Sequence, residues 1–111
     1  MNTALAYSRP GARKAIDLYH QNSILNASPE ELILKVYDLT IVSIHKRDIK
    51  KANLAIAELI AALDFEYHEE AMGLFKLYRY CQDCIYKSQY DEAYNIIQDL
   101  RSTWSEAFNL E

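Results

Sequence analysis

The sequence predicts an all-α fold, an antiparallel up-down-up-down four-helix bundle preceded by an N-terminal arm or short extra helix. Three observations predict it. Apolar residues recur at three and four positions through four successive stretches, the period of a helix with one buried face. Only two glycines and two prolines occur among 111 residues, too few for the turns of a sandwich or barrel of short strands. The connections between the stretches are short, which makes successive helices pack antiparallel.

The first bundle helix starts at Ser28-Pro29-Glu30-Glu31. Ser28 caps the orphan amides, Pro29 suits the first helical position, and Glu31 reaches back to complete a capping box. It runs to about Lys46, where His45, Lys46 and Arg47 place cations at the end the helix dipole favours. The second opens at Asp48 and carries Ile49, Ala52, Ile56, Leu59, Ile60 and Leu63 on one stripe, ending near Asp64. The third spans about Glu69 to Lys87, with Leu74, Phe75, Leu77, Tyr78, Cys81, Cys84 and Ile85 apolar. The fourth begins at Ser88, with Asp91 three residues on, and shows Ala93, Ile96, Ile97, Leu100, Trp104, Ala107 and Phe108 to near the C-terminus. The whole chain reads as one domain, with residues 28–108 the bundle and 1–27 an arm in which Ala12 to His20 can form a short helix.

Composition narrows the function. A net charge of −4 supplies no field to draw a polyanion, which argues against a nucleic-acid partner. No run of about 18 apolar residues occurs, and the first residues are too short and polar for a signal-peptide core. The expected location is the cytoplasm, without stable membrane insertion. Cys81 and Cys84 fit that reducing compartment.

The first helix departs from the simple pattern. Leu32, Ile33, Leu34, Val36, Tyr37, Leu39, Ile41, Val42 and Ile44 cover nearly its circumference, interrupted only by Lys35, Asp38, Thr40 and Ser43. A helix apolar all round must be buried on all sides, whereas a bundle helix normally leaves one side to water. Either the arm covers the surplus face, or another chain fills it as a groove, or the two alternate. The arm is long enough: Tyr7 to Ile24 spans about 55 Å extended, against about 28 Å for a helix of about 19 residues. The expected binding surface is therefore centred on Ile33, Val36, Tyr37, Ile41 and Ile44, with Tyr7, Tyr19 and Ile24 of the arm at its margin.

Catalytic and metal readings find little support. Cys81-Gln82-Asp83-Cys84 has redox or zinc spacing, but it falls mid-helix on the core stripe with no second pair. His20, His45 and His68 lie in three different segments, and no pair of Glu-x-x-His motifs is present to build a di-iron centre. Glu30-Glu31 and Glu69-Glu70 sit at helix N-termini as dipole partners. No cofactor, metal or enzymatic activity is expected. The basic run from His45 to Lys51 reads as a solvated helix corner. Tyr37, Tyr78 and Tyr94 belong to core or rim, their hydroxyls reaching water or a backbone acceptor. Gly73, inside the third helix, either lets a neighbouring backbone approach or is simply tolerated.

Tyr19, Asn22, Ile24, then Ala27-Ser28-Pro29-Glu30-Glu31-Leu32-Ile33-Leu34 and Tyr37-Asp38, resemble the opening signature of the flagellar secretion chaperone FliS family. Lys51-Ala52-Asn53, Leu63-Asp64, Leu77-Tyr78 and Leu100-Arg101-Ser102-Thr103-Trp104 resemble its later landmarks, in the same order. The likeness covers about residues 19–108. This chain resembles a shortened, divergent member: it has Leu39-Thr40 where that family usually continues with Gly-Ala, and its first two helices are shorter.

The resemblance implies a cytoplasmic chaperone that binds the C-terminal segment of flagellin, keeps it from polymerising early and hands it to the export apparatus, the export gate being a further partner. A monomer or weak homodimer is expected. The alternative is a helical adaptor or self-associating bundle unrelated to flagella, dimerising through the apolar face of its first helix.

Overall fold

The computed structural model describes residues 28–109. The expected arm, its short helix over 12–20, and Tyr7, Tyr19 and Ile24 lie outside them. Within the described residues are four helices and no strand: α1 (Pro29–His45), α2 (Ile49–Ala61), α3 (His68–Tyr86) and α4 (Tyr90–Ala107). α1 packs on α2 and α4, and α3 packs on the same two, so the four close into a ring with α1 and α3 on one diagonal.

Local chemistry sets the boundaries. Ser28 Oγ accepts the Glu31 amide at 3.2 Å while Glu31 Oε1 accepts the Ser28 amide at 3.2 Å, the expected capping box. Asp48 Oδ1 caps α2 by accepting the Lys51 amide at 3.1 Å. α2 stops at Ala61, shorter than its stripe suggested, and Leu63 is buried from the following turn. There Asp64 Oδ1 accepts the Glu66 amide at 3.0 Å, drawing the chain out of helix.

The expected role of Ser88 needs correction. It caps nothing, because α4 begins at Tyr90 behind Gln89, which makes no side-chain cap. Ser88 instead sits in the left-handed region at φ 63° and closes the end of α3: its amide donates to Ile85 O at 3.1 Å and that of Gln89 to Cys84 O at 2.7 Å. Arg47 does the same for α1 at φ 59°, with the Arg47 amide on Ile44 O and the Asp48 amide on Ser43 O. Left-handed backbone costs a non-glycine residue about 1 kcal/mol. Arg47 offsets it by donating Nη1 to Ile44 O at 3.1 Å and by resting its guanidinium 4.4 Å from the centre of the Tyr90 ring. The α1–α2 corner is thereby tied to the start of α4.

The core is contiguous. Ile33, Val36, Tyr37 and Ile44 from α1 meet Ala55, Ile56 and Leu59 from α2, Leu74, Tyr78 and Ile85 from α3, and Ala93, Ile97 and Trp104 from α4. Cys81 and Cys84 belong to it as free thiols, as their stripe predicted. Burial, with the charges of Cys84 and Glu92, pushes the Cys81 thiol up to about 12, leaving it protonated and unreactive at neutral pH.

At Gly73 the structure chooses between the two readings. The residue is exposed, and a Cβ built there meets nothing within 4 Å, so no backbone approaches closely. Gly73→Ala is expected to raise stability by about 1 kcal/mol, because alanine loses less chain entropy in a helix interior. A thermal melt that leaves the midpoint unchanged or lower would contradict this.

Candidate functional site

α1 is the helix from which a binding surface was expected, and its faces are now resolved. Glu31, Lys35, Asp38, Val42 and His45 are exposed, and their spacing of four, three, four and three places them on one strip. The reading of α1 as apolar nearly all round is therefore corrected: one side meets water. Thr40 and Ser43, counted as polar interruptions, are buried instead. The Thr40 hydroxyl donates to Val36 O at 2.8 Å, so it enters the core without losing its hydrogen bond.

Of the expected site residues on α1, Ile33, Val36, Tyr37 and Ile44 are seated in the core with at most 1 % exposure. A partner reaches them only if neighbouring side chains move aside. Ile41 is half-buried at the margin of the core, and Val42 beside it is 48 % exposed. The part of α1 open to a partner is thus Ile41 with Val42, at one end of the expected patch.

Further apolar surface lies where α1 alone did not point. Leu54 on α2 is 54 % exposed, Tyr86 on α3 is 80 % exposed, and Ile49, Phe65 and Tyr80 are also open. Between α2 and α3 runs a groove of about 370 Å³ lined by Asn53, Arg79, Gln82, Asp83 and Tyr86. Its floor is braced: Arg79 Nη1 donates to Gln82 Oε1 at 3.0 Å, and Gln82 Nε2 donates across the groove to Asn53 O at 3.3 Å. One signal for this groove was present in the sequence: Phe75, Arg79, Gln82 and Tyr86 recur at four, three and four, a second stripe flanking the core stripe of α3.

Two distant pieces of the chain meet at the α1–α4 seam. Trp104 Nε1 donates to the Tyr37 hydroxyl at 2.6 Å, and that hydroxyl also hydrogen-bonds the Tyr78 hydroxyl across the bundle. The hydroxyls of Tyr37 and Tyr78 thus satisfy one another in the core, not by reaching water or backbone as expected. Burial and the neighbouring Tyr78 hold the Tyr37 phenol well above its usual range. One residue after Tyr37 and three before Trp104, Arg101 Nε donates to Asp38 Oδ1 at 2.5 Å and Nη2 to Oδ2 at 3.5 Å. Tyr37-Asp38 and Arg101 with Trp104 are therefore one constellation: an indole-to-phenol bond inside and a forked ion pair outside, joining α1 to α4.

The family model described as flagellar protein FliS matches residues 12–111. The chain belongs to the FliS family. Compared with curated proteins and with solved structures, it gives no match. Membership brings the family's general role, that of a chaperone without enzymatic activity. Within this FliS-family chain Tyr37-Asp38 and Arg101 with Trp104 act as structural fasteners, because Tyr37 and Trp104 are buried and hydrogen-bonded to each other. No helix among the described residues is long and apolar enough to cross a membrane, and no group of acidic, histidine or cysteine side chains among them is arranged to hold a metal ion.

Proposed function

We propose that this chain is a cytoplasmic export chaperone that binds the C-terminal segment of flagellin, prevents its premature polymerisation and delivers it to the flagellar secretion apparatus. The observation that carries this reading is the family match over residues 12–111. The surface supports it. Large apolar side chains stand exposed on three successive helices, at Val42, Leu54 and Tyr86, which suits a client laid across several faces more than one docked in a single slot. On α1 the client contacts Ile41 and Val42, with Ile33, Val36, Tyr37 and Ile44 supporting that contact from within, and Tyr7, Tyr19 and Ile24 of the arm forming its margin.

Dimerisation through α1 is the weaker alternative. Val42 is surrounded on its strip by Glu31, Lys35, Asp38 and His45, which leaves a second copy little apolar area to bury.

Size-exclusion chromatography with the C-terminal segment of the host's flagellin tests the proposal. The chain alone is expected to elute as a monomer and to co-elute with the segment when mixed. Ile41→Asp, and Val42→Asp at the more exposed neighbour, are each expected to weaken the complex by about tenfold or more while helicity is retained, since each removes an apolar anchor and buries a charge. No co-elution by the unaltered chain would refute the function, and unchanged co-elution by both variants would refute the placement on α1.

A further inference from the structure

The corner between α1 and α2 projects from one end of the bundle. His45, Lys46, Arg47, Asp48, Ile49, Lys50 and Lys51 are all exposed, the longest unbroken exposed run among the described residues. The run carries four lysine and arginine cations against one carboxylate, in a chain whose net charge is −4. Helix dipoles account for only part of this. His45 and Lys46 close α1, where cations are favoured. Lys50 and Lys51 stand in the first turn of α2, where cations are disfavoured, and no acid in that turn offsets them.

Neighbouring groups leave the lysines uncompensated. Lys46, Lys50 and Lys51 form no ion pair with any described residue. Asp48 turns Oδ1 to the Lys51 amide. Lys87, at the same end, is paired with Asp83 at 3.0 Å. Arg47 is held toward α4, with Nη1 on Ile44 O, its guanidinium on the Tyr90 ring, and Asp91 and Glu92 lining the same surface pocket. The outward field of the corner therefore comes from three lysines grouped about Ile49, an apolar side chain left 40 % exposed.

We propose that this corner docks the chaperone end-on to an anionic lipid surface, with Lys46, Lys50 and Lys51 among the headgroup phosphates and Ile49 in the interfacial layer between them. This contact goes beyond flagellin binding and does not depend on it. Lysine suits such a ligand: a compact charge on a flexible stem can follow headgroups that move sideways, whereas a fixed carboxylate on a protein is matched better by the planar fork of arginine. A projecting tip also gives a peptide no walls, but it meets a broad surface fully. The topology keeps most acids away. Alternating helix directions put Glu30 and Glu31 of α1, Glu69 and Glu70 of α3 and Glu106 of α4 at the opposite end. With 17 residues α1 is about 26 Å long. That is about three Debye lengths at physiological ionic strength, so those carboxylates lie outside the field of a surface touching the tip.

Vesicle flotation of the full chain, without flagellin, tests this. The chain is expected to bind phosphatidylcholine vesicles containing about one third phosphatidylglycerol, and to bind pure phosphatidylcholine at least about tenfold more weakly. Raising the salt from about 0.1 M to about 1 M shortens the Debye length from about 10 Å to about 3 Å and should remove most of the binding. Each cation at an anionic leaflet contributes about fivefold, so Lys50→Gln with Lys51→Gln is expected to weaken partitioning about 20- to 30-fold. Ile49→Ser is expected to weaken it about threefold. The paired lysine variant should melt no lower than the unaltered chain, because two cations leave the positive end of α2. Lys35→Gln with Lys76→Gln removes two exposed lysines from mid-helix positions on α1 and α3. It makes the same change in net charge and should alter partitioning by less than about twofold. Failure to bind the charged vesicles, equal binding to neutral ones, or equal losses in the two paired variants overturns the proposal. So does a duplex oligonucleotide or a polyglutamate peptide that binds the chain more tightly than the charged vesicles do, since the corner would then serve a nucleic acid or an acidic protein. None of these outcomes bears on the flagellin reading, which co-elution tests separately.

Discussion

Trp104→Ala lowers the stability of the bundle by about 3–5 kcal/mol, the cost of removing a large aromatic from a packed core and leaving a cavity. Trp104 is 1 % exposed, stacks on Phe108 with ring centres 5.7 Å apart, and gives its indole N–H to Tyr37. A domain of this size holds about 5–15 kcal/mol in total, so the variant is left with a small remainder or unfolds. Trp104→Phe separates the two contributions. It keeps most of the volume and loses the donor, so its cost should be nearer that of a buried hydrogen bond, about 1–2 kcal/mol. Trp104 is the sole tryptophan, so unfolding in urea has to be followed by far-ultraviolet circular dichroism. A loss below about 1 kcal/mol for the alanine variant would show that the α1–α4 seam is not held as described. The outer fastener matters less: Asp38 is half exposed to solvent, and exposed ion pairs contribute about 0–1 kcal/mol.

The second large effect concerns the client. A flagellin C-terminal segment trimmed to any single helix is expected to bind at least about 100-fold more weakly than the whole segment. Val42, Leu54 and Tyr86 stand on α1, α2 and α3, and neighbouring helices of a bundle lie about 8–10 Å apart. One docked helix covers one groove and so only part of this surface. Two or three anchors at about 2 kcal/mol each leave little or nothing above an association cost of about 4–15 kcal/mol, whereas micromolar binding needs about 8 kcal/mol net. A client that continues from face to face adds anchors without repeating the cost of encounter. Calorimetry with the full segment and its single-helix fragments measures the ratio. A fragment that binds as tightly as the whole would remove the case for a wrapped client.

The contrast between α1 and α3 shows what could be read from the chain and what could not. On α3 the expected stripe of Leu74, Phe75, Leu77, Tyr78, Cys81, Cys84 and Ile85 marked the inward side: Phe75 and Leu77 are half-buried and the other five are buried. On α1 hydrophobicity alone was a poor guide. Thr40 and Ser43 looked solvent-facing but are enclosed, and Val42 looked buried but is exposed. A short hydroxyl side chain can return its hydrogen bond to the preceding turn, as Thr40 does, so polarity does not force it outward. Ser88 shows a similar ambiguity at a helix boundary. A serine followed three residues later by an acid suits a cap, but the connection to Tyr90 is so short that closing α3 claims the residue first.

The sequence by itself determined the helical class, the number of bundle helices, the caps of the first two, the burial of both thiols and the likeness to one family. These follow from periodicity and from hydrogen bonds within a few residues, which are written along the chain. Only the tertiary structure decided that Tyr37 and Asp38 answer Trp104 and Arg101, that Ile33, Val36 and Ile44 are core, and that the open apolar side chains are shared among three helices. It alone placed Asn53, Gln82 and Arg79 along one groove. Such pairings depend on how each helix is rotated about its axis against two neighbours at once. That rotation is settled by the packing of all four helices together and leaves no mark in the spacing of any one of them.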